Sequence, residues 1–244
     1  MRVLVFIILL SCTAISQNVQ FKVPDEVLAE MEKVSFPVDT NTYSFKVVYP
    51  IDYDSSKVYD AVLGFSGGNA AERLVDYCYY AMFKTNHFND RFIFMPIGIN
   101  GKLLQQLDEN EMMNITELLT ENFPVAKQNW IITGTSNGGI AAFRFAYMQP
   151  ELYSGIIVMP GALSFDDVHD KWADYKVLLA CGENDDQSWI DAMHRDEELL
   201  SKKIENVFTY IINGEGHIIS PAYNQDLIYD LYFIGKDGEK IESD

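Results

Sequence analysis

The sequence predicts one α/β domain, with a mostly parallel, twisted sheet of about seven or eight strands flanked by helices. The chain has 244 residues, of which 48% are hydrophobic and 22% are charged, and these are ordinary values for a globular protein. Short β-rich runs alternate with longer helical stretches, which is the pattern of a parallel sheet covered by helices. A chain of this length buries roughly 70% of the surface that its unfolded form exposes, so we expect it to fold without a disulfide or metal.

The elements follow from the spacing of apolar residues and from the turn residues between them. Strands are short apolar or alternating runs, whereas the helices repeat their apolar residues at about 3.6-residue spacing. Predicted strands lie at residues 43–49, 61–65, 91–97, 130–133, 153–159, 176–181 and 207–212. Predicted helices lie at residues 70–84, 108–122, 137–149, 189–203 and 222–233. The connection at 159–176 is too short for a multi-helix lid, so we expect no cap domain.

The charge of the chain is strongly acidic. Asp and Glu number 36 against 18 Lys and Arg, which gives a formal net charge of −18. Such a surface repels phosphate backbones and anionic lipid headgroups. We therefore expect no nucleic-acid partner and no binding to a charged membrane surface.

Residues 1–16 have the pattern of an export signal. Arg2 supplies a positive start, and the apolar run at 3–10 is too short to span a bilayer, which takes about 20 residues. Small residues at Ala14 and Ser16 fit a signal-peptidase site, which leaves 17–244 as a single mature domain. This pattern predicts a secreted or periplasmic protein without a transmembrane segment.

A second interpretation of the amino end concerns Cys12. The run Leu9-Leu10-Ser11-Cys12 is similar to a bacterial lipobox, in which the cysteine carries lipid and anchors the protein to a membrane. Two more cysteines, Cys78 and Cys181, lie in apolar stretches. We expect them to be buried thiols, with a disulfide between them as the alternative.

A candidate nucleophile stands at a sharp turn between a strand and a helix. The strand at 130–133 leads directly into Gly134-Thr135-Ser136-Asn137-Gly138, where the next helix begins. This is the G-x-S-x-G pattern in its strand–turn–helix context. The turn requires a positive φ at the serine, and Gly134 and Gly138 stand where a Cβ would collide with neighbouring backbone.

With this motif, the sequence resembles the α/β-hydrolase superfamily from about residue 43 to residue 233. The resemblance implies a Ser–acid–His order along the chain, with the acid after a late strand and the histidine after the last strand. After the strand at 176–181 comes Gly182-Glu183-Asn184-Asp185-Asp186. The family's G-x-x-D form assigns Asp185 as the acid, and Asp186 is the alternative.

The candidate base follows the last predicted strand. The strand at 207–212 ends in Asn213-Gly214-Glu215-Gly216-His217, a glycine-flanked loop that lets His217 reach Ser136. The other histidines are His87, His169 and His194. None of these three ends a strand at the expected edge, so we assign His217 as the base that activates the serine hydroxyl.

The resemblance also implies an oxyanion hole made of backbone amides. The amide of Asn137, at the start of a helix, is one candidate donor. The strand at 61–65 ends in Ser66-Gly67-Gly68-Asn69, where the family's esterases often carry a His-Gly motif. We expect the amide of Gly68 or Asn69 to be the second donor.

No cofactor or metal is expected. The acidic run at 166–170, which also holds a histidine, has the residue types of a metal site, but loop or helix-start charges explain it equally well.

The resemblance to lid-less carboxylesterases, including feruloyl-esterase and esterase-D-like enzymes, implies hydrolysis of small-molecule or carbohydrate-linked carboxylic esters through an acyl-enzyme. A peptidase or acyltransferase with the same triad, or a non-catalytic binding protein on this scaffold, are the alternatives. We expect an open site, with the loop at 98–107 as its wall.

Overall fold

The computed structural model describes residues 21–99 and 101–234. The predicted export signal at 1–16, the alternative anchor residue Cys12 and the last ten residues lie outside this part of the chain. The division into a leader and a mature domain therefore stays a prediction.

One eight-stranded sheet carries the fold, in the strand order β1-β2-β4-β3-β5-β6-β7-β8. The strands are β1 (Glu32–Val38), β2 (Asn41–Val48), β3 (Ala61–Phe65), β4 (Phe92–Pro96), β5 (Trp130–Gly134), β6 (Tyr153–Val158), β7 (Lys176–Gly182) and β8 (Asn206–Ile212). β1 and β2 pair antiparallel, as do β2 and β4, and the remaining neighbours pair parallel. The predicted mostly parallel α/β sheet is confirmed.

Helices cover this sheet. They are α1 (Asp25–Leu28), α2 (Glu72–Cys78), α3 (Glu109–Asn122), α4 (Asn137–Met148), α5 (Gln187–Leu200) and α6 (Asp226–Ile234). A π-helical turn at Tyr79–Phe83 continues α2, and 3-10 turns lie at Asn86–Phe88, Leu104–Gln106 and Asp170–Trp172. α3 begins with a capping box, in which Asp108 accepts from the amide of Glu111 and the Glu111 carboxylate accepts from the amide of Asp108.

Three elements differ from the sequence prediction. The strand β1 was not predicted, because Pro37 and two charged residues interrupt its apolar pattern, and an edge strand tolerates both. The predicted helix at 70–84 begins only at Glu72 and becomes π-helical at Tyr79. The closing helix begins at Asp226 rather than at residue 222.

The parallel register brings several strand ends to one edge of the sheet. Phe65 lies opposite Gly134 across β3 and β5, and Gly182 lies opposite Ile212 across β7 and β8. β3, β4 and β5 are buried at every residue, so the middle of the sheet is a rigid base for the loops above it. The loops that follow β3, β5, β7 and β8 therefore gather on the same side of the molecule.

No cap domain stands over this edge in the described part of the chain. Between β6 and β7, the one helical element is the 3-10 turn Asp170–Trp172. Among the helices of residues 21–99 and 101–234, none has the length and apolarity that crossing a membrane requires.

Candidate active site

Ser136 lies at a strained turn between β5 and α4. Its backbone has φ 55° and ψ −124°, which is the positive φ predicted for this position and an unusual conformation for a residue with a side chain. The Ser136 amide donates to the carbonyl of Pro160 over 2.7 Å, which ties the turn to the segment after β6. The surrounding backbone therefore fixes the direction of the serine side chain.

The two glycines of the motif stand where no Cβ fits. A Cβ on Gly134 would lie 2.3 Å from the carbonyl oxygen of Gly138, and one on Gly138 would lie 2.3 Å from that of Phe65. Both distances are far below van der Waals contact, and the atoms that would be struck belong to the backbone. The contacts around Gly134 and Gly138 therefore agree with the predicted clash of a Cβ at these two positions.

A chain of hydrogen bonds joins Ser136, His217 and Asp185. The Nε2 atom of His217 lies 3.0 Å from Oγ of Ser136. Its Nδ1 atom lies 2.9 Å and 3.2 Å from the two carboxylate oxygens of Asp185. The Asp185 side chain is fully buried, whereas the His217 side chain is 37% exposed, so a substrate reaches the imidazole but not the carboxylate.

The loops that carry Asp185 and His217 are hydrogen-bonded to each other. The Asn184 amide donates to the Glu215 carbonyl over 2.8 Å, and the Gly214 amide donates to the Glu183 carboxylate over 2.9 Å. A Cβ on Gly182 would lie 2.3 Å from the carbonyl of Gly216, so the loops touch through their backbones. We call these two segments, residues 182–186 and 213–217, the acid loop and the histidine loop.

The alternative acid, Asp186, caps a helix instead of contacting the histidine. It is the N-cap residue of α5, and its carboxylate accepts from the amide and the hydroxyl of Ser188. These hydrogen bonds lower the pKa of Asp186 below its ordinary value. The structure therefore brings Asp185, and not Asp186, into hydrogen-bond contact with His217.

The other three histidines are engaged elsewhere. The Nε2 atom of His87 lies 2.8 Å from a carboxylate oxygen of Asp230, and its ring stacks on that of Phe233 in α6. His169 accepts from the amide of Lys171, and His194 lies on the exposed side of α5. None of these contacts involves Ser136.

The loop after β3 lies directly against the serine. Gly67 lies close to it, since a Cβ there would lie 3.1 Å from the Ser136 Cβ and 3.8 Å from Oγ. Gly68 has a positive φ of 60°, and its carbonyl accepts from the Asn137 side chain at a long 3.4 Å. The Asn69 side chain accepts from the Ala71 amide instead, at the start of α2. Gly67 was not among the predicted site residues, although its place in a Gly-Gly pair after a buried strand was the available signal.

Two predictions concerned residues outside this cluster. The acidic run at 166–170 is bound by Lys203, whose ammonium donates to Asp167, Asp170 and the carbonyl of Val168. Cys78 and Cys181 are both buried free thiols, as expected, and burial raises the pKa of each, to about 12 for Cys181. The described residues hold no group of three or more His, Cys, Asp or Glu arranged to bind a metal.

Ser136 is half-buried. Two cavities of about 730 and 590 Å³ lie elsewhere on the molecule, and neither is lined by Ser136, Asp185 or His217. In the loop at 98–107, which was predicted to form the wall of the site, Leu104 and Leu107 are buried. Closer to the site, the ring of Trp189 packs against His217 with 5.3 Å between centroids.

Comparison with known proteins rests on structure. No family model matches the sequence, and no curated protein is matched by it. The fold is similar to that of a thermostable esterase, with a TM-score of 0.64 and 15% identity over 77% of this chain. The match spans 56% of the esterase, so this chain corresponds to little more than half of that protein.

Two further neighbours are matched over most of their length. One is the feruloyl esterase module from Clostridium thermocellum in complex with sinapinate, with a TM-score of 0.59 and 17% identity over 85% of this chain and 90% of that one. The other is the S-formylglutathione hydrolase from Staphylococcus aureus, with a TM-score of 0.59 and 14% identity over 81% of this chain and 95% of that one. With its sheet order, helices and uncapped edge, the chain has the α/β-hydrolase fold that the sequence predicted.

Proposed function

We propose that this protein is a serine hydrolase that cleaves carboxylic esters, with Ser136 as nucleophile, His217 as base and Asp185 as the acid of the triad. One observation carries the proposal: the unbroken contact from the buried Asp185 carboxylate through His217 to Ser136 Oγ. The other described histidines and carboxylates offer no such chain to a serine. The esterases among the structural neighbours are consistent with this chemistry. Their sequence identity to this chain is low, so what they share with it is the fold.

The first half of the reaction uses this contact directly. As Ser136 Oγ attacks the acyl carbon, its proton passes to Nε2 of His217, because a serine hydroxyl is a weak nucleophile until a base takes its proton. Asp185 accepts a hydrogen bond from Nδ1–H, which fixes the tautomer and stabilises the imidazolium. His217 then returns the proton to the leaving alcohol, and an acyl-enzyme remains.

The negative charge on the acyl oxygen needs hydrogen-bond donors. We propose the backbone amides of Asn137 and Gly68 for this role, since neither donates to another group in the described part of the chain. The amide of Asn69 remains the alternative, because it too donates to no other backbone group in the described part of the chain. Losing one such donor typically costs about 10²–10³ in turnover. In the second half, water activated by His217 attacks the acyl carbon and releases the acid.

We expect the uncapped edge of the sheet around Ser136 to favour small soluble esters, or acyl groups that protrude from a larger carbohydrate. The second expectation is in keeping with the feruloyl esterase neighbour, which was solved with sinapinate. Turnover should therefore be faster with short soluble esters than with long-chain emulsified ones. A clear preference for emulsified long-chain esters would contradict this part of the proposal.

A fluorophosphonate probe tests the proposal at the serine. We expect the wild type to be labelled, and Ser136→Ala and His217→Ala to fold normally without labelling. A panel of chromogenic esters and amides on the same preparations then separates an esterase from a peptidase. A folded wild type that neither reacts with the probe nor hydrolyses any ester would favour the non-catalytic binding protein.

We also propose that the protein is exported, and this rests on residues 1–16 alone. Mass spectrometry of the protein from cells tests it. An amino terminus at Gln17 agrees with a cleaved signal, whereas a lipid-modified Cys12 would replace this proposal with the membrane-anchored form.

A further inference from the structure

The indole ring of Trp189 is a third neighbour of the His217 imidazole, besides Ser136 and Asp185. These two residues bind the edge of the imidazole, through Nε2 and Nδ1. The Trp189 ring packs beside the imidazole in a tilted arrangement, with ring centroids 5.3 Å apart and planes inclined by 40°. Both nitrogens of the imidazole are already hydrogen-bonded, so any further neighbour holds the ring by packing, as an aromatic side chain can.

The backbone holds Trp189 firmly in this position. It lies in the first turn of α5, where its amide donates to the Asp186 carbonyl over 2.9 Å. Its own carbonyl accepts a long 3.6 Å contact from the Cys181 thiol at the end of β7. Because α5 begins directly after the acid loop, the same short segment carries both Asp185 and Trp189 to the histidine.

We propose that Trp189 is a positioning residue, which orients the imidazole of His217 and stabilises its protonated form through the π face of the indole. This inference rests on the proposed function, in which His217 becomes an imidazolium twice in each turnover. A cation over a tryptophan face is attracted by the ring quadrupole, and tryptophan is the strongest of the aromatic side chains in this respect. In this role the Trp189 ring acts on the base.

Several other charged or titratable groups also face His217 or support its loop. Asp185 and Asp186 lie just before α5, and the pKa of Asp186 is lowered mainly by its hydrogen bonds with Ser188 and in smaller part by His217. On the histidine loop itself, the Glu215 carboxylate accepts from the Ser220 amide, and on α2 the hydroxyl of Tyr77 donates to the Ile219 carbonyl. A substitution confined to Trp189 leaves all of these groups in place, so that its effect reports on the indole.

NMR titration of the histidine Cε1 resonances tests the proposal without any need for turnover. Trp189→Leu keeps apolar bulk beside His217 and removes the π face, so we expect the titration midpoint of His217 to fall by about half a pH unit. Trp189→Phe should give a smaller fall. A His217 midpoint that stays in place or rises in Trp189→Leu would overturn the proposal.

Tyr147 and His169 supply a matched control. Their rings are also in contact, with centroids 5.4 Å apart, on another part of the surface. Tyr147→Leu should leave the His217 midpoint unchanged, and Trp189→Leu should leave that of His169 unchanged. If the midpoints of both His217 and His169 moved in Trp189→Leu, the substitution would have changed the fold in general rather than the surroundings of His217. The proposal would then fail.

Kinetics extend the test to the base itself. In Trp189→Leu, the acid limb of kcat/KM should shift to lower pH by the same half unit or so, and its plateau should fall about two- to fivefold. A limb that does not move with the NMR midpoint would overturn the positioning role. A wild type that fluorophosphonate does not label would instead overturn the proposed function, and the NMR result separates the two failures.

Discussion

The turn that holds Ser136 and the loops that hold His217 and Asp185 are built in different ways. At the turn, backbone atoms pack so closely that a Cβ on Gly138 would lie 2.3 Å from a carbonyl oxygen. Where β7 ends, a Cβ on Gly182 would meet the Gly216 carbonyl just as closely, at 2.3 Å, but within the histidine loop a Cβ on Gly216 would come no closer than 3.7 Å to its neighbour. Here hydrogen bonds between the acid loop and the histidine loop hold the side chains in place.

This difference assigns different roles to the two regions. A residue held at positive φ costs free energy, and it persists only where the surrounding structure leaves no other conformation. The nucleophile therefore has a fixed position set by steric contact. The acid and the base are held by hydrogen bonds between their loops, which are individually weak and can adjust when a substrate binds.

The largest effect is expected within the acid loop. In Asp185→Asn, the amide no longer holds the His217 tautomer that the reaction needs, so kcat should fall about 10⁴-fold. Steady-state kinetics with a soluble chromogenic ester measure the loss. Asp186→Asn is the matched control, one residue away and capping α5, and its kcat should change by less than about threefold. Equal losses in the two variants would contradict the assignment of the acid.

The second prediction compares a glycine from each region. Gly138→Ala forces a Cβ against the Phe65 carbonyl, and we expect the free energy of unfolding in urea to fall by about 1–3 kcal/mol or more. In Gly216→Ala the new Cβ makes only an ordinary van der Waals contact, 3.7 Å from the Asn184 carbonyl, so the free energy should stay within about 0.5 kcal/mol of the wild type. Similar destabilisation in both variants would mean that steric contact does not separate the two regions.

The third prediction concerns the contact between the loops. Glu183→Ala removes the acceptor of the Gly214 amide, and because both groups are exposed, the free energy of unfolding should change by less than about 1 kcal/mol. The histidine loop should nevertheless hold His217 less firmly in position, so kcat/KM should fall roughly tenfold. Glu198→Ala, on the exposed side of α5, is a control of the same chemistry. An unchanged kcat/KM in Glu183→Ala would show that this contact does not position His217.

The same contrast explains how much could be predicted from the sequence. The turn at Ser136 is encoded within five consecutive residues, because local steric demands fix which of them must be glycine. Asp185 and His217 were predicted only from their places after the last strands, through the resemblance. The contact between their side chains depends on loop-to-loop hydrogen bonds that no local pattern encodes. The edge strand β1 escaped prediction for a similar reason, since its pairing with β2 and not its own pattern makes it a strand.

The smallest effect is expected at Asp196, which links the two regions. Its buried carboxylate on α5 accepts from the Leu163 amide over 2.7 Å, and Leu163 follows the segment whose Pro160 carbonyl holds the Ser136 amide. Burial raises the pKa of Asp196 above its ordinary value, although Leu163 and Arg195 donate hydrogen bonds to it. The folded protein therefore binds this proton more readily than the unfolded chain does.

The sign of the pH dependence follows from this raised pKa. The stability that protonated Asp196 contributes is fully present below the pKa of the unfolded carboxyl and is lost as the pH rises through the folded value. Urea unfolding from about pH 3 to about pH 7 measures it, with Asp196→Asn as a reference that keeps an acceptor for Leu163 but cannot ionise. The free energy of unfolding of the wild type, relative to this variant, should decline gradually over the range. A relative stability that rose with pH would mean that Arg195 outweighs burial, and that the link between the two regions is an ion pair rather than a desolvated hydrogen bond.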